Sequence, residues 1–230
     1  SIEAYTEYRK GVDELDVLGF ANADTVIAHF ESAIQKDPRF LPPYLHQAWA
    51  VWWPTIYGTE SVTSEQAFKK AYTVLADAEA TFPTESIIAV TKEFFQMISE
   101  LNFVVARRAL ENALLESPND PDLLFMNLWY LLFVETRYSE AMGAVNLALA
   151  ENPNRIAFLD AKAEIYSFMN NEREALRVNT EIAAENPEDF DRLFNIAFSY
   201  RNLEELQRAL QFAQDATRVS GDHPAATAAL

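Results

Sequence analysis

Prolines at positions 38, 83, 118, 153 and 187 each close an amphipathic segment, and they are separated by 45, 35, 35 and 34 residues. Proline stops a helix because it lacks the amide hydrogen and its ring clashes with the preceding turn. A nearly constant spacing of such stops means that one structural unit recurs. Small side chains recur in the same register. Twelve and five residues before each of the later prolines stand Ala71 and Ala78, Ala106 and Ala113, Ala141 and Ala148, then Ala175 and Ile182. A further unit, Ala209 with Ala216, ends at Gly221 instead of proline. A methyl group at these places lets a second helix approach closely, so the recurrence has a packing cause.

The units read as helix hairpins at approximately residues 4–38, 43–83, 85–118, 122–153, 156–187 and 190–221, with 224–230 as a truncated cap. Asn22 or Asp24 is placed to cap the second helix, and Thr63-Ser64-Glu65-Gln66 has the form of a capping box. Pro54 to Thr63 lengthen what would otherwise be a tight turn, and an insertion of that kind marks one decorated face of a repeat array. Five glycines in 230 residues are too few for a fold built on tight β-hairpin turns. No linker separates the hairpins, so the expectation is a single repeat domain spanning residues 1–230, each hairpin burying its neighbour's face.

A repeat of this length made of two antiparallel helices, A and B, with proline after helix B, resembles the tetratricopeptide repeat (TPR). Asn127-Leu128-Trp129 through Tyr138 and Ala141, and Asn195-Ile196-Ala197 with Tyr200 and Ala209, carry the resemblance most clearly. It implies an all-α fold, a right-handed superhelix of about six TPR-like helix-turn-helix hairpins. The family favours a small residue where helix A meets helix B. That slot holds Ala48, Ala163 and Ala197, but Phe94 and Trp129 in two hairpins, which are expected to be splayed or shifted. Tyr5, Tyr8, Gly11 and Leu15, then Phe30-Glu31-Ser32-Ala33-Ile34 through Asp37-Pro38 and Tyr44, resemble a subtype found in bacterial winged-helix regulators and adenylate cyclase-associated proteins. What this implies is the partner-docking or sensor domain of a larger bacterial regulator, in the cytoplasm or, where the regulator is membrane-anchored, in the periplasm.

Composition removes several function classes. Thirty-five acidic against eighteen basic side chains give a formal charge of -17, which repels a phosphate backbone and an anionic membrane surface alike. Neither direct nucleic-acid binding nor membrane contact is expected. Apolar runs such as Leu123 to Val134 are too short to span a bilayer. The chain opens on Ser1-Ile2-Glu3-Ala4, directly into an amphipathic pattern without the basic and apolar regions of a signal peptide, as an excised domain would. There is no cysteine, and His29, His46 and His223 lie in different hairpins, so no metal site and no cofactor are expected. Acidic pairs such as Glu135 with Glu140 and Glu172 with Glu174 sit at helix starts and loops, where solvation explains them. No nucleophile motif or phosphate loop is present, and the chain reads as a binding scaffold with no catalytic residue.

By the resemblance, the A helices line the concave surface at the second, fifth, ninth, twelfth and thirteenth positions of each repeat. Counted in this way, the partner-binding candidates are Leu45, Trp49, Trp52 and Trp53, then Phe95, then Met126, Tyr130 and Phe133. Ile98 and Val134 belong to the same stripe. The later hairpins contribute Asp160, Glu164 and Phe168, and Asp191, Phe194, Phe198 and Arg201, a mixed and acidic surface. Large aromatic side chains are enriched at binding hot spots, although a helical aromatic stripe is also the signature of a core. Some relatives of the family grip a terminal carboxylate with Lys, Asn and Arg at these slots. Trp49, Trp52, Tyr130 and Phe133 stand there instead, which favours an apolar or basic protein or peptide partner. Two other readings stand beside this one. A pocket for a small apolar ligand could be formed by Trp49, Trp52, Trp53 and the insertion, and end-to-end pairing would make the chain a homo-oligomer.

Overall fold

The computed structural model describes residues 1–18, 23–52, 63–151, 153, 156–185, 187 and 190–220. Every regular element among them is an α-helix. They group into two compact units, residues 1–117 and 118–230. The first holds α1 (Ile2–Leu18), α2 (Ala23–Lys36), α3 (Pro42–Trp52), α4 (Ser64–Thr81), α5 (Ser86–Glu100) and α6 (Phe103–Glu116). The second holds α7 (Pro121–Phe133), α8 (Tyr138–Glu151), α9 (Ile156–Phe168), α10 (Glu172–Glu185), α11 (Phe190–Asn202) and α12 (Leu206–Ser220). Within each unit every helix packs on the next, so odd-numbered helices are the A and even-numbered ones the B members of three hairpins.

The small-residue register is the packing register. Ala71, Ala78, Ala106, Ala113, Ala141, Ala148, Ala175 and Ala216 are all buried, and Ala209 is half-buried. Val26 and Ala33 hold the same two positions ahead of Pro38 and are fully buried. Ile182, enlarged like Val26, packs with Val178 against Ala163 of the facing helix, so a large side chain on one side meets a small one on the other. The alanine nearer each proline has a second task. The last amide before the stop donates to its carbonyl: Asp37 to Ala33 at 3.0 Å, Phe82 to Ala78 at 2.8 Å and Ser117 to Ala113 at 2.9 Å. The helix thus closes its final turn just before the residue that has no hydrogen to give.

The starts are equally legible. Thr63 and Gln66 form the expected capping box, Gln66 N donating to Thr63 Oγ1 at 3.3 Å and Thr63 N to Gln66 Oε1 at 3.0 Å. Asp120 caps α7 by accepting from the amides of Asp122 and Leu123, with Pro121 in the first turn, where a missing hydrogen costs nothing. Asn22 and the other expected features at 54–62 and 221–230 lie outside the described residues.

A regularity that the sequence hides lies in the turns from A to B. Leu101, Thr136, Asn170 and Glu204 occupy one equivalent place in four successive hairpins, and all have left-handed backbone angles, with φ of 57°, 52°, 56° and 62°. None is glycine. After α9 and α11 the turn closes with a Schellman bond, Asn171 N to Tyr166 O at 2.8 Å and Glu205 N to Tyr200 O at 2.9 Å. Among the described residues the loosest hairpins are α5–α6 and α7–α8, the pairs with Phe94 and Trp129 where α3, α9 and α11 have Ala48, Ala163 and Ala197.

In the first unit, Val26 and Phe30 of α2 and Ala50 of α3 form a buried cluster over which Tyr8, Val12 and Leu15 of α1 close. Gly11 permits that closure. A Cβ there would lie 2.7 Å from Cε1 of the buried Phe30 ring and 3.2 Å from His29 Cβ. On the rim of the hairpin, Glu7 accepts from Lys10 Nζ at 3.0 Å and faces His29 Nδ1 at 3.0 Å, with Lys36 Nζ at 3.7 Å. The hydrogen bonds to His29 and Lys10 hold its carboxyl far below the ordinary range, at about 2.

Two glycines give opposite tests of this packing. Gly11→Ala is expected to lower stability by about 1–3 kcal/mol, because overpacking outweighs the gain in helix propensity. Gly143→Ala, on an α8 face with nothing within 4 Å of the added carbon, is expected to raise it by about 1 kcal/mol. Urea denaturation of the two variants beside the parent chain measures both.

Candidate partner-binding faces

In the first unit the anticipated aromatic face is core. Trp49 is half-buried, its ring centroid 4.7 Å from that of Phe95, 5.3 Å from Phe94 and 5.9 Å from Trp52. Trp52 is buried against Phe68 at 5.8 Å and Phe95 at 5.7 Å. These rings join α3, α4 and α5, and Leu45 is buried on the same helix. Phe95 is wholly inaccessible, as is Met126 of α7, and Tyr130 retains only 4% of its surface. Leu45, Trp52, Phe95, Met126 and Tyr130 therefore do not present the exposed side chains that the repeat count assigned them. Steps of three and four do keep residues on one side of a helix. In a stack, however, that side also meets the adjacent A helix, and a long ring reaches it before it reaches solvent. Trp53 lies outside the described residues, with positions 54–62 of the insertion.

The second unit differs. Phe133 of α7, Phe168 of α9 and Phe198 of α11 are 46%, 41% and 40% exposed. Phe133 meets Phe168 edge-on at 6.0 Å, Trp129 supports Phe133 at 5.0 Å, and Tyr138 stacks on Phe168 at 5.4 Å. Over Phe198 lies the Arg201 guanidinium, 4.2 Å from the ring centroid. Each ring is thus held from one side and open on the other. Of the partner-binding candidates counted from the repeat only Phe133 joins this group. Phe168, Phe198 and Arg201 come from the part of the stripe that sequence marks as mixed and acidic. Flanking residues do not separate the two groups, since exposed Phe133 stands between Leu132 and Val134.

The electrostatics of α9 and α11 are uneven. Arg192, buried on α11, pairs through both terminal nitrogens with the Asp160 carboxylate of α9, a two-pronged contact that ties the two A helices in register. Glu164, one turn further along α9, keeps contact with solvent. The protein mass around its carboxyl and, second, the negative Asp160 nevertheless push its pKa up to about 7. The acidic pairs noted in the sequence have structural partners. Arg137 spans Glu135 and Glu140, while Glu172 accepts from Ser167 Oγ at 3.2 Å and Asn202 Nδ2 at 3.0 Å. Among the described residues no group of three His, Asp or Glu side chains could hold a metal ion, and no helix is long and apolar enough to cross a membrane.

Solved structures share this arrangement of helices. YrrB, a TPR protein with an unusual peptide-binding site, matches 87% of this chain and 96% of its own at 18% identity, with a TM-score of 0.53. The fold is that of a tetratricopeptide-repeat array. A tetratricopeptide repeat protein from Parabacteroides merdae matches over the whole chain and 88% of its own at 13% identity and a TM-score of 0.53. PilW, a type IV pilus biogenesis factor, matches over 98% of this chain and 97% of its own at 12% identity, with a TM-score of 0.59. Likeness at these identities establishes the TPR architecture. No protein-family model matches the sequence, and neither does any curated protein.

The raised pKa of Glu164 fixes the sign of a stability test. An unfolded carboxyl titrates near 4.5, and the folded one near 7, so the folded state holds an extra proton between those values. Stability therefore falls as pH rises through that window. Glu164→Gln removes the titration: its melting temperature is expected to exceed that of the parent at pH 8 and to match it at pH 4. Thermal unfolding followed by circular dichroism across that range is the measurement.

Proposed function

We propose that this chain is a protein- or peptide-docking scaffold, the docking portion of a larger bacterial regulatory protein, and that the partner is apolar or basic. The observation that carries the reading is the row of open rings on successive A helices, Phe133, Phe168 and Phe198. Most other rings on the A helices have found partners inside the stack. Rings held rigidly on one side and free on the other desolvate much area with few rotors, which is what a docking surface needs. The net charge of -17 favours a basic partner over an acidic one. Among the candidates counted from the repeat, Phe133 and the half-buried Trp49 retain surface for such a contact. The likeness of fold to YrrB, a protein with a peptide-binding site, supports the same reading. The bacterial regulatory setting is drawn from the resemblance of the first repeat.

Selection from a displayed library of random peptides tests it. The chain is expected to enrich sequences that combine apolar and basic residues. A variant with Phe133→Ala, Phe168→Ala and Phe198→Ala is expected to retain them at least about tenfold less well while keeping its helical circular dichroism. Failure to enrich any sequence, or equal retention by the variant, would refute the docking surface.

A further inference from the structure

Along α9 the side chains of Asp160, Glu164 and Phe168 follow one another at intervals of one turn and so share a face of the helix. One repeat later, on α11, Phe198 takes the place that Glu164 has on α9. The Asp160–Arg192 pair links the two helices at one end of this face. Glu164 thus has a phenyl ring one turn along its own helix and another at the equivalent place on the next A helix, both open to solvent.

The polar groups around it are engaged, and this carboxylate is not. Asp160 is held by Arg192, and Arg201 lies over Phe198. The Glu164 carboxyl has no hydrogen bond or ion pair with any described residue. Glu164 is exposed, and a cation supplied from outside would give its carboxylate the counter-charge that the fold does not. Phenyl faces attract the same cation through their negative quadrupole. Ring and carboxylate thus select for one chemistry, opposite in sign to the carboxylate grip of some TPR domains.

We infer that Glu164, framed by Phe168 and Phe198, anchors a lysine side chain from an extended partner peptide whose flanking residues are apolar. The inference rests on the docking function proposed above and names its specificity. Lysine suits the site better than arginine. Its four-carbon stem can lie along the rings while a compact ammonium meets a single carboxylate, whereas a guanidinium fork gains most from a fully accessible two-pronged partner. Apolar neighbours suit Phe133 and Phe168, which continue the open surface toward α7.

Three fluorescein-labelled peptide libraries, alike except for a central Lys, norleucine or Glu, would be titrated by anisotropy against the whole chain at pH 8. Norleucine keeps most of the lysine stem and removes the charge. The parent chain is expected to bind the Lys library about tenfold more tightly than the norleucine library. Glu164→Gln is expected to erase that difference, and Glu164→Lys to transfer the preference to the Glu library. Equal binding of the Lys and norleucine libraries by the parent, or an undiminished Lys preference in Glu164→Gln, would overturn the anchor and leave the docking surface standing. Absence of binding to all three libraries would overturn both.

Discussion

Close approach of helices at fixed small-residue positions is the constraint on which this structure depends. Wherever Ala33, Ala78, Ala113 or Ala148 stands, one helix can lie near enough to its neighbour for larger side chains on either side to interdigitate. Ala33, Ala78 and Ala113 also close the last helical turn before proline, so packing and termination are set by one residue. Changes in bulk have visible effects. Gly11 admits the Phe30 ring, Ile182 is accommodated by Ala163, and the hairpins with Phe94 and Trp129 at the meeting slot are the least tightly paired. Within each of the two units the stack is stabilised helix by helix, since every helix packs on the next.

Electrostatics play a smaller part in stability and a larger one in register. Most ion pairs join residues three or four apart on one exposed helix, as Arg9 with Asp13, Arg177 with Glu181 or Arg208 with Glu205, and such pairs contribute little each. The pair between buried Arg192 and Asp160 is different in kind, because it crosses between A helices and leaves the adjacent Glu164 carboxylate without a counter-charge. The net charge of -17 and the rings that α7, α9 and α11 expose are the two features on which the proposed preference for basic, apolar segments rests.

The order and bounds of the helices could be read from the chain itself. Proline spacing, the alanine register and the Thr63–Gln66 capping box are local signals, written within a few residues of the features they control, so α2, α4, α6, α8 and α10 stand where those signals put them. Left-handed turn residues were not legible, because Leu101, Thr136 and Glu204 are not types that favour positive φ, and the turn geometry imposes it on them.

Which aromatic residues are mortar and which are surface was decided only in three dimensions. Trp49, Trp52, Phe95, Tyr130, Phe133, Phe168 and Phe198 all fall on the inward stripe of an A helix, and the stripe alone cannot separate them. Separation comes from what the next helix brings to that place. Phe94 and Phe95 of α5 meet the two tryptophans of α3, whereas in the second unit Arg201, Tyr138 and Trp129 each cover one side of a ring and leave the other open. Sequence determined the repeat because helix periodicity and helix stops are properties of a single segment. Burial depends on pairs of segments about one repeat apart, and their lateral contacts exist only once the stack has formed.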